Sequence, residues 1–268
     1  MAVIVLTSAS GSPGVTATAL GLALAWPRPV LLVEADPTGG SATLAGYFRG
    51  TLAPTPGLIG LALAHREGRL DTELPAAAMP IPQHDAMLLP GVRSHAQARS
   101  LTPIWEPLLA ALRGLGRTGQ DVIVDAGRLG LTGSPEPLIH GADLTLLTAR
   151  TDLVSLSAAR SWAATLRDER TAHGTEAGLG LLLLGEGRPY AAREVSKVLR
   201  LPTVATLAWD PDGAAVFSHG ATPPRRFDTS GYARSLGAVR SAIATHLSPD
   251  DAPDVDPGTS QVVETVTS

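Results

Sequence analysis

Cysteine is absent from the 268-residue chain, which removes disulfides, thiolate zinc sites, iron–sulfur clusters and thiol catalysis together. Lysine is almost absent. Among 21 basic residues only Lys197 is a lysine, so chemistry that needs an ammonium group must use Lys197 or proceed without one. Aromatic residues make up 4 %, which leaves the core to aliphatic side chains. Long apolar runs are also missing. Leu181 to Leu184 is typical of the longest, far short of the ~20 residues a bilayer span needs. The apolar start, Ala2 to Leu6, lacks the basic flank and the length of a signal peptide. A cytoplasmic protein without a membrane segment is expected. A net charge of -4 gives no basic patch for nucleic acid. The seven histidines show no ligand spacing, and Ser10 and Ser12 lie in no G-x-S-x-G elbow.

What is present is enough for a sizeable core, with 44 % hydrophobic and 17 % charged residues. Ala2 to Leu6 is a continuous apolar run, the pattern of a buried parallel strand. A Gly/Ser loop follows, then an Ala/Leu-rich helix from about Val15 to Ala25, closed by Pro27 and Pro29. Further strands are predicted at Val30 to Val33, Val122 to Val124, Leu144 to Thr148, Gly180 to Leu184 and Thr203 to Ala208. Helices are predicted from Asp152 as N-cap to about Arg167, from Ala191 to Arg200, and from Tyr232 to His246. The Pro/Gly-rich stretch from Thr51 to Ser100 offers one helix near Leu58 to His65 and one strand near Ala86 to Leu89. Alternating strands and helices imply βαβ units: an α/β, doubly wound, mainly parallel sheet with helices on both faces. Residues 1–247 are expected to form one domain. The tail, 248–268, carries Asp250, Asp251, Asp254, Asp256 and Glu264 with no basic residue, and three prolines. That composition predicts an acidic, disordered segment.

The loop after the first strand reads Ser8-Ala9-Ser10-Gly11-Ser12-Pro13-Gly14-Val15-Thr16. A strand, a Gly/Ser loop and a helix N-terminus outline an anion site, because the amides and the helix dipole converge there. This loop resembles that of the MinD/ParA branch of P-loop ATPases, which runs S-G-K-G-G-x-G-K-T. Ser8, Gly11, Gly14 and Thr16 match it; Ser10 and Val15 stand where the two lysines would be. Val30 to Ser41 resembles the second strand and switch I, and Val122 to Gly130 resembles the Walker B strand and switch II. Leu144 to Ala164 and Leu201 to Gly220 resemble later segments, so the likeness runs from Ala2 to about His246.

The resemblance implies a P-loop NTPase fold. It would make Gly11, Ser12, Gly14, Val15, Thr16 and Ala17 the phosphate cradle, and put Asp210 and Pro211 near the base. Thr16, Asp36 and Asp125 would hold Mg2+, with Asp36 also positioning the attacking water. The departures pull the other way. Val15 carries no charge, Pro13 has no N–H, and Gly185-Glu186-Gly187 replaces the Asn expected to read adenine. One reading is therefore a degenerate, non-hydrolysing binding or positioning module with no cofactor. Its partners would be proteins of cell division, chromosome partitioning, or the Tad/CpaE-like pilus and secretion machinery, and it could form a homodimer. The alternative is an active ATPase using ATP and Mg2+, with Arg128 or Arg150 in place of lysine.

Overall fold

The computed structural model describes residues 1–10 and 13–248. In chain order it contains β1 (Val3–Ser8), α1 (Val15–Leu24), β2 (Val30–Glu34), α2 (Gly57–Arg66), α3 (Leu70–Ala77), β3 (Met79–Pro80), β4 (Ala86–Leu89) and α4 (Trp105–Gly114). There follow β5 (Asp121–Arg128), α5 (Glu136–Gly141), β6 (Leu144–Arg150), α6 (Leu153–Ala172), β7 (Leu179–Leu184), α7 (Ala192–Leu199), β8 (Thr203–Leu207), α8 (Pro211–His219) and α9 (Gly231–Leu247). The strands make one sheet in the order β3-β4-β2-β5-β1-β6-β7-β8. Every pairing is parallel except β3 with β4. The α/β, doubly wound architecture with helices on both faces is as the sequence predicts.

The apolar run of β1 now has its reason. Val3 and Val5 feed the core on one face of the sheet, while Ile4 and Leu6 feed the core on the other. A strand buried on both sides has no solvent-facing positions to make polar. One core packs α2 to α7 against the sheet around Leu58, Trp105, Leu108 and Leu166. The opposite core packs α1, α8 and α9 around Leu20, Phe217, Leu236 and Val239. Helix α1 sits so close to α9 that a Cβ on Gly21 would lie 3.1 Å from Leu236 Cδ1.

Two strands form the edges. β3 is two residues long and ends in the exposed Pro80. β8 lies at the other edge, directly after Pro202.

At the N-terminal end of the sheet, buried Asp121 joins three elements. Its Oδ1 accepts the Ala2 N–H at 2.9 Å, and its Oδ2 accepts from Trp26 Nε1 at 2.8 Å. The same oxygen pairs with Arg28 Nη2 at 2.7 Å. Asp121→Ala strips the partner from a part-buried N–H and a part-buried indole N–H, and is expected to cost about 1–3 kcal/mol in a urea titration.

The structure corrects several boundaries. β5 runs on past Asp125 to Arg128, with an irregularity in its pairing to β1 between Leu6 and Ser8. α6 extends to Ala172, and α3, α4, α5 and α8 join the predicted helices. Of the expected tail, only Ser248 is described; 249–268 lie outside the described residues. Among the described residues no helix is long and apolar enough to cross a membrane.

Candidate functional site

The strand order reverses at β1, between β5 and β6, and the crevice beyond the C-terminal ends of these strands is where such folds bind ligands. Helix α1 opens into it. Gly14 is its N-cap with φ +99, a left-handed conformation that suits glycine, and its carbonyl accepts the Thr18 N–H at 2.9 Å. Among the described residues no side chain caps this end, and no acidic residue lies in its first turn. By helix geometry the leading amides have no intrahelical acceptor, which leaves them as donors for an anion. Gly11 and Ser12 lie outside the described residues.

The side chain after Gly14 does not add to such a site. Val15 is 6 % exposed and packs in the core shared with α8 and α9. Ala17 is likewise buried there. Pro13 supplies no N–H.

Three carboxylates and a hydroxyl gather beside α1. Glu34 at the end of β2, Asp36 just after it, Asp125 on β5 and Thr16 on α1 line a small cavity of about 40 Å3. Asp125 is buried. Its Oδ2 accepts from Thr16 Oγ1 at 2.5 Å, and its Oδ1 accepts the Gly127 N–H at 3.0 Å. Burial, reinforced by the nearby Asp36 and Glu34 charges, pushes its carboxyl up to about 7 against those two hydrogen bonds. Asp36 Oδ1 accepts the Thr38 N–H at 2.8 Å. Glu34 accepts the N–H of Thr43 at 3.2 Å and of Gly91 at 3.4 Å, which holds the loop after β2 over the cavity. Gly127 has φ +62, and a Cβ there would sit 2.3 Å from Asp36 Cγ, so only glycine lets β5 pass this carboxylate.

Sequence reading found Thr16, Asp36 and Asp125, and the structure brings them together. It missed Glu34, whose signal was a lone carboxylate closing an otherwise apolar strand, VLLVE.

A second cluster forms where β6, β7 and β8 end. Arg150 lies over the Trp209 ring at 4.6 Å from its centroid, and Arg188 lies at 5.7 Å. Gly185 brings the loop after β7 against Trp209, and Leu184 approaches Gly14, so this cluster adjoins the start of α1. Arg128 ends β5 as an exposed side chain. Asp210 and Pro211 are at the start of α8. Asp210 is its N-cap, with Oδ1 accepting the Gly213 N–H at 2.9 Å, and Pro211 fills the first helical position.

The oxygen set suits a small hard cation. Mg2+ is commonly held by one or two carboxylates together with phosphate and water oxygens, and Thr16, Asp36 and Asp125 could contribute such donors. Among the described residues no group of three His, Cys, Asp or Glu side chains could hold a metal alone. The first residue of α1 brings no cation to a triphosphate, because Val15 is an apolar, buried side chain.

No protein-family model and no curated protein matches the chain. Solved structures do. The cell division ATPase MinD of Pyrococcus furiosus is 20 % identical with a TM-score of 0.68, covering 91 % of this chain and 99 % of that one. A ParA family ATPase from Chlorobium tepidum is 18 % identical with a TM-score of 0.70, covering 90 % and 97 %. The septum site-determining protein MinD from Pyrococcus horikoshii, complexed with Mg-ADP, is 19 % identical with a TM-score of 0.65, covering 91 % and 95 %. At these identities the likeness is one of fold: the chain is built on the MinD/ParA-type P-loop ATPase fold.

Proposed function

We propose that this chain is a binding or positioning module on a MinD/ParA-type scaffold that has given up nucleotide hydrolysis.

 The observation that carries this reading is Val15, which is buried beside Gly14 where the fold's nucleotide-binding relatives would need a cation. The lone lysine, Lys197, is exposed on α7 and cannot take its place. Loss of one charge-stabilising donor costs roughly a factor of 10² to 10³ in such reactions. The missing N–H of Pro13 and the glycines after β7 remove further contacts. Residues 1–247 act as the folded unit, in the cytoplasm, on protein partners in division, partitioning, or pilus and secretion assembly, alone or as a homodimer.

A second reading has its own support. The uncapped start of α1 and the oxygens of Thr16, Asp36 and Asp125 suit Mg2+ with a phosphate, and Arg150 adjoins the crevice. On that reading Gly11, Ser12, Gly14 and the amides up to Ala17 would cradle phosphate, with Asp210 and Pro211 near the base.

Isothermal titration of the full chain with ATP and ADP in Mg2+, run beside a phosphate-release assay, separates the two. No turnover is expected. Micromolar binding with phosphate release that Asp36→Ala abolishes would establish the second reading instead.

A further inference from the structure

A groove of about 680 Å3 opens next to the carboxylate cavity, between the loop after β2, helix α2 and the segment that follows β4. Leu44, Leu52, Pro56, Ile59, Leu63 and Val92 give it apolar walls. Leu63 is 58 % exposed, a large aliphatic side chain left facing water. Among the lining residues Arg93 alone carries a charge, and it is exposed. None of the ion pairs among the described residues involves it.

The backbone around the groove is tied in place. Gly40 donates its N–H to the Val92 carbonyl at 3.0 Å, and Leu58 donates to that of Pro90 at 2.9 Å. Buried Glu34 accepts N–H groups from both sides, from Thr43 and from Gly91. Gln97 fixes where the cation stands: its Oε1 accepts the N–H of Arg93 at 3.0 Å and of Ser94 at 3.3 Å. A preformed cavity of this volume, apolar with a few placed polar groups, has the character of a small-molecule site.

We propose that this groove binds a small amphipathic carboxylate, with its acyl chain along the apolar walls and its carboxylate against Arg93. Burial of the chain supplies the affinity. The guanidinium selects the head group, because an arginine can meet a carboxylate with two parallel hydrogen bonds, and no acidic side chain lines the groove to favour a cation instead. The groove shares Gly40, Ser41, Gly91 and Val92 with the carboxylate cavity. It makes no use of Thr16, Asp36 or Asp125, so the assignment stands apart from what the crevice does with nucleotide.

Octanoate, octanol and trimethyloctylammonium share one apolar chain and differ in head group. Each is titrated into the full chain and followed by amide shifts in nuclear magnetic resonance, which also show that every variant is folded. Saturable binding of octanoate is expected at Leu44, Leu63 and Val92, with octanol about fivefold weaker and the ammonium weaker still. Arg93→Gln should weaken octanoate about fivefold, to the level of octanol, and leave octanol nearly unchanged. Leu63→Glu puts a like charge on an exposed wall and should remove most octanoate binding. Leu153→Glu alters a leucine on α6 that is 67 % exposed, and should change nothing. Failure of octanoate to saturate, equal binding of the three head groups, a loss in Arg93→Gln that octanol shares, or shifts centred on Leu153 would overturn the proposal.

Discussion

Asp125→Asn is expected to stabilise the protein at pH 8, and to do so by more than any other single change at the crevice. In the unfolded chain this carboxyl ionises near its ordinary value of 3.8, whereas in the folded protein it keeps its proton up to about 7. Folding therefore favours the protonated form. The stability contributed is fully present below about pH 4 and is lost as pH rises through 7. A shift of this size corresponds to about 4 kcal/mol at most. Asparagine presents no charge to desolvate, can still accept the Gly127 N–H, and can donate to the Thr16 hydroxyl. Melting temperatures from pH 4.5 to 8 provide the check. The parent should lose stability across that range, while the variant should lose markedly less and melt about 5–10 °C higher at pH 8. Equal slopes in the two proteins would mean that Asp125 is ionised without penalty and that the crevice is wetter than its geometry indicates.

The opposite result is expected at Arg170. This guanidinium is 1 % exposed and donates to the carbonyls of Ile139, His140, Ala142 and Thr175 and to the Thr145 hydroxyl, all between 2.9 and 3.1 Å. Burial lowers its pKa to about 10. Its partners are carbonyls at the end of α5 and in the turns around it, where the helix dipole favours a cation. Arg170→Met keeps much of the volume but leaves a set of buried acceptors without donors. A loss of about 3–5 kcal/mol is expected, seen as a lower urea midpoint with an unchanged slope. Arg170→Lys should recover little of it, because one ammonium cannot span five acceptors arranged around a planar fork.

The sheet was the most legible part of the molecule, since a strand buried on both faces leaves a continuous apolar run that few other structures produce. Ala86 to Leu89 is an example: its bounds as read from sequence are those of β4. Helices with unambiguous caps were also plain, and the Asp152 side chain does accept the Ser155 N–H at 2.9 Å. Helix α8 carried the same kind of signal in Asp210-Pro211, but there the resemblance to a nucleotide-binding segment directed attention to a ligand instead of a cap. Helix α4 shows Trp105, Leu108, Leu109 and Leu112 at helical spacing. Pro103 and Pro107 bracket its start, and proline is tolerated in a first turn. In the crevice, strand ends exposed Asp36 and Asp125 to sequence reading. The stacking of Arg150 and Arg188 on Trp209 was not legible, because it joins three loops that only the sheet order brings together.

The two rims of the sheet differ in what they offer another strand. Along β3 the ladder stops after two residues at a proline, which has no N–H to share. β8 is five residues long and, among the described residues, pairs only with β7. Growth by strand addition needs a usable rim on each side of the building block. A molecule with one such rim can pair with a twin and then has nothing left to extend, so strand-mediated self-association of the native fold closes at two copies and cannot run on into a filament.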